Sequence, residues 1–348
     1  MASNPDYNLN SWVGGISTAE YKKIQENNSL FNKSISGTYP PGSTFKMVTA
    51  IAGLETKSIT ATEKINDTGI YKRYKDYQPA CWIWTDLHQV HGYLNVSQAI
   101  QRSCNYFFYE TGYRTGISNI VKYARYFGLG NKTGVELPSE TSGTLSSPEA
   151  AKAAGRNWTD GNTLSSAIGQ AYNAYSPLQI AKYIAMVGNG GKKINPTVIK
   201  TIMNADGTEV SRSELSKHVS ETLGLDNGEA ENLNISKESF NAVREGMKSV
   251  ALERGGTAYN TFKDFGVEVG GKTGSAQAPG NKTHAWFVGF APYDNPEIAV
   301  VVMVENGAHG NYTAEAVKKV MAEYFGMNIN SNEISENNSA ETYTEKIN

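Results

Sequence analysis

Three strand-like runs crowd toward the C-terminal end of this chain, at 266–278, 284–291 and 297–305. They constrain the fold more than any other feature. Tyr293-Asp294-Asn295-Pro296 reads as a turn between the last two, so the spacing predicts an antiparallel meander. Nearly everything before the runs reads as helix or loop. Helices are expected over 44–54, 96–102 and 105–113, with Ser118 capping another that ends near Gly128. Ser176-Pro177 gives a cap and a first-turn proline for a helix that Gly188 closes. Ser236 opens a long amphipathic helix to about 252, stopped by Gly255-Gly256, and a terminal helix is expected over 313–325. Strands that follow a helical body, rather than alternating with helices, predict an α+β fold and not a βαβ series.

The connecting segments are polar. Residues 4–39 carry scattered aromatics and are expected to wrap onto the main body, and Pro40-Pro41-Gly42 breaks the chain. Segment 60–93 reads as irregular, 129–163 as loops, and 205–235 as a polar insertion or surface lobe. Beyond Asn328 the composition predicts a disordered tail over 328–348. With 348 residues the chain can bury a large core. A net charge of −2 leaves no basic excess to neutralise phosphates, which argues against nucleic acid as a partner. There is no run of 18 apolar residues, no glycine-rich nucleotide signature and no internal repeat.

Three short motifs follow one another in fixed order: Ser43-Thr44-Phe45-Lys46, Ser103-Cys104-Asn105 and Lys272-Thr273-Gly274. Each alone has a bland reading, as a helix cap beside a solvated lysine, a second cap, and a glycine-rich hairpin. Together they supply a nucleophile, an amine, a bridging hydroxyl, an amide and a second cation, close to what amide opening through an acyl-enzyme needs. Ser43 precedes a helix and Lys46 lies three residues on, so the amine can lie against the hydroxyl. Lys46 serves as a base if burial depresses its pKa. The N–H of Ser43, at a helix start, is one candidate oxyanion donor, and that of Ser275 a second. Ser103 and Asn105 are two apart and converge only if a turn between helices separates them. Gly274 offers no side chain to block a ligand adding along its strand.

With its flanks, Tyr39 to Lys46, Ile168-Gly169-Gln170, Lys272 to Gln277 and Ala285 to Pro292, the chain resembles a penicillin-binding protein transpeptidase domain over roughly 4–325. It most resembles the class B, elongation-type branch, penicillin-binding protein 2. The resemblance implies the penicillin-binding/β-lactamase-like fold, an antiparallel sheet flanked by helices with an additional helical lobe, in a domain over 1–327. A membrane anchor and a pedestal domain would lie upstream, on the extracytoplasmic face of the bacterial membrane. It implies cross-linking of D-Ala-D-Ala stem peptides of peptidoglycan through Ser43, with Lys46 as base, Ser103 as proton relay and Asn105 as orienting amide. Lys272 and Thr273 would bind the terminal carboxylate, with Gly274 and Ser275 lining the strand. β-Lactams would trap Ser43, and a membrane glycosyltransferase of the elongation machinery would be a partner. A serine β-lactamase, a D,D-carboxypeptidase and a non-catalytic β-lactam sensor share such a site.

The second motif departs from the commoner Ser-Asp-Asn form by having Cys104 at its centre. The other cysteine, Cys81, lies upstream, His91 falls between them, and Asp67 precedes them. Two thiols, an imidazole and a carboxylate suit a tetrahedral structural zinc. Relatives of the elongation type build a metal site from this region, which favours the set Asp67, Cys81, His91 and Cys104. Asp86 or His88 could replace one of these ligands, a Cys81–Cys104 disulfide is a third option, and two unrelated thiols a fourth.

Overall fold

The computed structural model describes residues 1–222, 234–280, 282–307 and 310–328. All but the first residue of the expected tail over 328–348, and residues 223–233 of the polar segment, lie outside them. In chain order the elements are α1 (Thr18–Glu26), α2 (Lys46–Glu55), β1 (Ile65–Asp67), α3 (Trp82–Leu87), β2 (Gly92–Leu94), α4 (Val96–Gln101), α5 (Asn105–Thr115) and α6 (Ile117–Tyr126). They continue with α7 (Pro148–Ala153), α8 (Asp160–Ala167), α9 (Pro177–Gly188), α10 (Arg212–Thr222), α11 (Lys237–Leu252) and α12 (Tyr259–Phe262). Strands β3 (Gly270–Ala278), β4 (Lys282–Ala291) and β5 (Ile298–Val304) precede a last helix, α13 (Asn311–Tyr324).

The expected meander forms, in the order β3-β4-β5, antiparallel throughout. Its register pairs Lys272 with Val288 and Gly274 with Trp286. Alternate residues of a strand face opposite sides. A Cβ on Gly289 would meet Phe287 and Met321 of α13, whereas a Cβ on Gly188 of α9 would meet Phe290. The sheet is therefore covered by α13 on one face and α9 on the other, and α11 packs along β3. Helix α2 lies at the centre of the helical part, against α5, α6 and α11. Residues Lys46 to Gly53 are all buried, so α2 is apolar nearly all round, as an interior helix must be.

Several local expectations fail for physical reasons. The helix read over 44–54 is a 3-10 turn, Gly42–Phe45, running into α2. Ser118 caps nothing: Gly116, at φ +75°, ends α5 and opens α6 with no side-chain cap. Within 129–163, Ser147 caps α7 ahead of Pro148, and a Thr159/Asn162 capping box opens α8. Segment 60–93 holds a short antiparallel pair, Ile65↔Leu94 to Asp67↔Gly92, which closes the loop carrying α3.

Candidate active site

Ser43 lies in the 3-10 turn just before α2, and this turn is held in a slot that admits only glycine. The Gly42 N–H donates to Gly169 O at 3.0 Å. A Cβ on Gly169 (φ +75°) would lie 2.2 Å from Gly42 O, and one on Gly42 (φ +53°) 2.6 Å from Ser275 O. A Cβ on Gly274 would lie 2.8 Å from Thr44 Cγ2 and 3.2 Å from Pro41 O. Gly274 therefore does more than leave the strand clear, as the sequence suggests: it lets β3 close onto the turn carrying the serine. Trp286 Nε1 adds a hydrogen bond to Pro40 O at 3.0 Å.

Ser103-Cys104 forms the turn between α4 and α5, with Ser103 at φ +53°. This left-handed residue lets Ser103 and Asn105 face the same centre. Lys46 reaches them from α2. Its Nζ donates to Ser103 O at 2.8 Å and Asn105 Oδ1 at 2.6 Å, with Ser103 Oγ at 3.3 Å. The amine thus reaches both Ser103 and Asn105 of the second motif. From the β3 side, Lys272 Nζ donates to Ser103 Oγ at 2.9 Å and Thr273 O at 2.8 Å. Alternation along β3 turns Thr273 the other way, where its Oγ1 meets Thr257 Oγ1 at 2.7 Å.

Both lysines are completely buried. Burial lowers the Lys46 pKa to about 8, against the pull of Cys81 and Cys104, which favours its charged form. Lys272 is driven well below the ordinary lysine range by burial and then by the nearby charge of Lys46. An amine of this kind can accept a proton near neutrality, which an exposed lysine cannot. The arrangement joins a depressed amine, a bridging hydroxyl, an amide and a second lysine, with the half-buried Ser43 in the turn that leads into Lys46, a set of groups suited to serine acyl transfer.

Directly behind Lys46 lie the four residues singled out as a metal set. The donor atoms of Asp67, Cys81, His91 and Cys104 fall within 4.8 Å of one another. Cys81 Sγ is 3.9 Å from Cys104 Sγ and 3.6 Å from His91 Nδ1; Asp67 Oδ2 is 2.7 Å from His91 Nδ1 and 3.4 Å from Cys104 Sγ. Two sulfurs bound to one tetrahedral zinc at about 2.3 Å sit roughly 3.8 Å apart, so the thiols fit the ion. Burial raises the Asp67 pKa, but His91, the Gly69 N–H and the two thiols bring it net below the usual range. Burial likewise opposes ionisation of Cys81, yet hydrogen bonds from Cys104 and His91 lower it to about 5, while Cys104 is pushed up. Both cysteines are free, so the disulfide alternative does not hold in this structure. Asp86 and His88 are exposed and outside the cluster. Cys104 is also the cap of α5, accepting from Phe107 N, and Trp82 Nε1 donates to Arg102 O at 3.1 Å. The 67–91 loop is thereby tied to the turn carrying Ser103 and Asn105.

Sequence reasoning missed Trp286, Gly42 and Thr257. The first two stood in the flanks of the motifs, but their packing partners lie on distant segments.

A family profile for the penicillin-binding protein transpeptidase domain matches residues 1–324, and the chain belongs to that family. Within it the chain is similar to the peptidoglycan D,D-transpeptidase MrdA. It is 31% identical to that of Haemophilus influenzae over 350 residues, covering 93% of this chain and 50% of the relative. Against that of Acinetobacter baumannii the identity is 33% over 339 residues, covering 92% and 48%. The chain spans about half the length of the curated relatives it matches. Among solved structures, Pseudomonas aeruginosa PBP2 in complex with WCK 5153 has a TM-score of 0.78 at 32% identity, covering 93% of this chain and 70% of that one. Helicobacter pylori PBP2 in complex with MreC has 0.78 at 29%, covering 93% and 57%. A third, from a peptidoglycan synthase complex, has 0.77 at 29%, covering 95% and 54%. The α+β reading and the penicillin-binding fold agree with these neighbours.

Proposed function

We propose that this chain carries peptidoglycan D,D-transpeptidase activity through an acyl-enzyme on Ser43. The observation that carries the reading is the convergence of Lys46, Asn105 and Lys272 on the Ser103 turn. Ser43 Oγ attacks the penultimate D-Ala carbonyl of a D-Ala-D-Ala stem peptide as its proton passes to Lys46 Nζ. The N–H groups of Ser43 and Ser275 stabilise the oxyanion. The C–N bond then breaks, and Ser103 relays a proton to the departing D-Ala amine. Asn105 holds Lys46 and the substrate amide, and Lys272 and Thr273 receive the terminal carboxylate. An amine of a neighbouring stem attacks the ester, forms the cross-link and returns the proton to Ser43. The chemistry needs no cofactor. A β-lactam is opened by the same attack but leaves Ser43 blocked.

The proposal extends to a structural zinc on Asp67, Cys81, His91 and Cys104, which would supply no reaction step but would fix the turn between α4 and α5. It also extends to a transpeptidase domain over 1–327 of a protein anchored at the extracytoplasmic face of the bacterial membrane, beside a glycosyltransferase of the elongation machinery. The complexes of relatives with MreC and within a peptidoglycan synthase support such partners.

The test is intact-protein mass during hours of exposure to a penicillin. A single persistent adduct, absent in Ser43→Ala, is expected. An adduct lost within seconds with drug hydrolysis would make the chain a β-lactamase. No adduct on folded, zinc-loaded protein would overturn the proposal. Competition between water and an amine acceptor separates transpeptidase from carboxypeptidase.

A further inference from the structure

We infer that Thr257 is a positioning residue for carboxylate recognition, setting the hydroxyl of Thr273 to donate toward the ligand; this rests on the function proposed above. Its Oγ1 lies 2.7 Å from Thr273 Oγ1, and neither hydroxyl has another hydrogen-bond partner among the described residues. Each hydroxyl has one proton to donate and two lone pairs. If Thr273 donated to Thr257, it would present only lone pairs to the cleft and would repel an anion. With a carboxylate at Thr273 one orientation survives: Thr257 donates to Thr273, and Thr273 donates outward. The first bond polarises the second and fixes the Thr273 side-chain rotamer before the ligand arrives.

The chain is built to hold Thr257 in this place. The segment between α11 and α12 doubles back tightly, with Gly256 N donating to Glu253 O at 2.9 Å and Ala258 N to Val250 O at 3.0 Å. A Cβ on Gly256 would lie 2.3 Å from Ser249 O. One on Gly255 (φ +84°) would lie 2.5 Å from Arg102 Cζ. Gln101 Nε2 reaches Glu253 Oε2 at 3.4 Å and Arg254 O at 3.3 Å. The same turn that presents Ser103 to Lys46 is therefore braced against the loop that presents Thr257 to Thr273. The glycine pair reads in the sequence as a helix stop; in the fold it also lets a threonine arrive behind the third motif.

The experiment compares acylation by benzylpenicillin, which carries the carboxylate, with acylation by its methyl ester, which does not. Thr257→Val should slow benzylpenicillin about tenfold, the size of one hydrogen bond to a charge-bearing site. The methyl ester should react within twofold of wild type, and Thr257→Ser should restore benzylpenicillin. In a Thr273→Ala background, Thr257→Val should add no further loss. Thr257→Ala serves in place of the valine variant should that one fail to fold. Equal losses with both drugs, or no loss with benzylpenicillin, would overturn the inference. Failure of wild-type protein to react with either drug would overturn the proposed function instead.

Discussion

Gly169→Ala gives the sharpest test of how Ser43 is held. The added Cβ would sit 2.2 Å from Gly42 O and 2.8 Å from Phe45 Cβ, on a residue at φ +75°. An ordinary contact of about 3.4 Å requires the Gly42 carbonyl to retreat by roughly 1 Å, and Ser43 follows it directly in the chain. The left-handed conformation adds about 1–2 kcal/mol for alanine. Relief of the clash in a packed interior adds about 1–3 kcal/mol, so the variant should lose about 2–5 kcal/mol of stability. Its second-order rate of acylation by a penicillin, followed by intact mass, should fall about a hundredfold, the usual cost of a 1 Å misplacement at a reacting group. Gly190→Ala is the control. It has the same φ of +75° but nothing within 4 Å of the new Cβ. It should lose only the conformational part of the stability and acylate normally. If Gly169→Ala is destabilised yet acylates within threefold of wild type, the glycine slot does not position Ser43 and the reasoning fails.

Two further outcomes are expected. Protein purified without chelator should hold about one zinc per chain by metal analysis, and Cys81→Ser or Cys104→Ser should lose the metal and melt at lower temperature; well under one zinc with both thiols free would end the zinc proposal. Glu305 is held below the usual carboxylate pKa by Lys33 and by the Tyr39 hydroxyl, which lie 2.6 and 2.8 Å away. A depressed acid stabilises the fold above its unfolded pKa and loses that contribution as pH falls through the folded one. Because the pair is about a third exposed, Glu305→Gln should cost only about 0.5–1 kcal/mol at pH 7 by urea denaturation, and the gap from wild type should close as pH falls below about 4. A gap that persists in acid would assign the effect to packing.

The sequence revealed the elements whose signals are local. Ser176-Pro177 and Ser236 open helices where caps predict them, and the meander follows from three apolar runs and a turn. Helices α7 and α8 carried equally local caps, hidden by a composition that resembles loop. The four metal-set residues were named through the family resemblance, with Asp86 and His88 left open as ligands, and the fold brings those four together. What could not be read was direction. That Lys46 reaches Ser103 depends on the left-handed φ of Ser103 and on burial supplied by α5 and β3. Gly169 and Thr257 matter through atoms on other segments, and one chain gives no pattern that joins them.

The hydrogen bonds that assemble this centre span long stretches of chain: Lys46 meets Ser103 across 57 residues, and Lys272 meets Ser103 across 169. The stretch from α2 to α5 holds the Lys46, Ser103 and Asn105 part of the cleft, but Lys272 joins it only from β3. During synthesis, α2, α4 and α5 could be in place while the protein was still blind to a penicillin, because β3 would not yet have closed on Ser43. Covalent labelling is thus a clock as well as an assay. In a refolding experiment, helical signal should rise first, and competence to take the drug should arrive with the last long-range docking step.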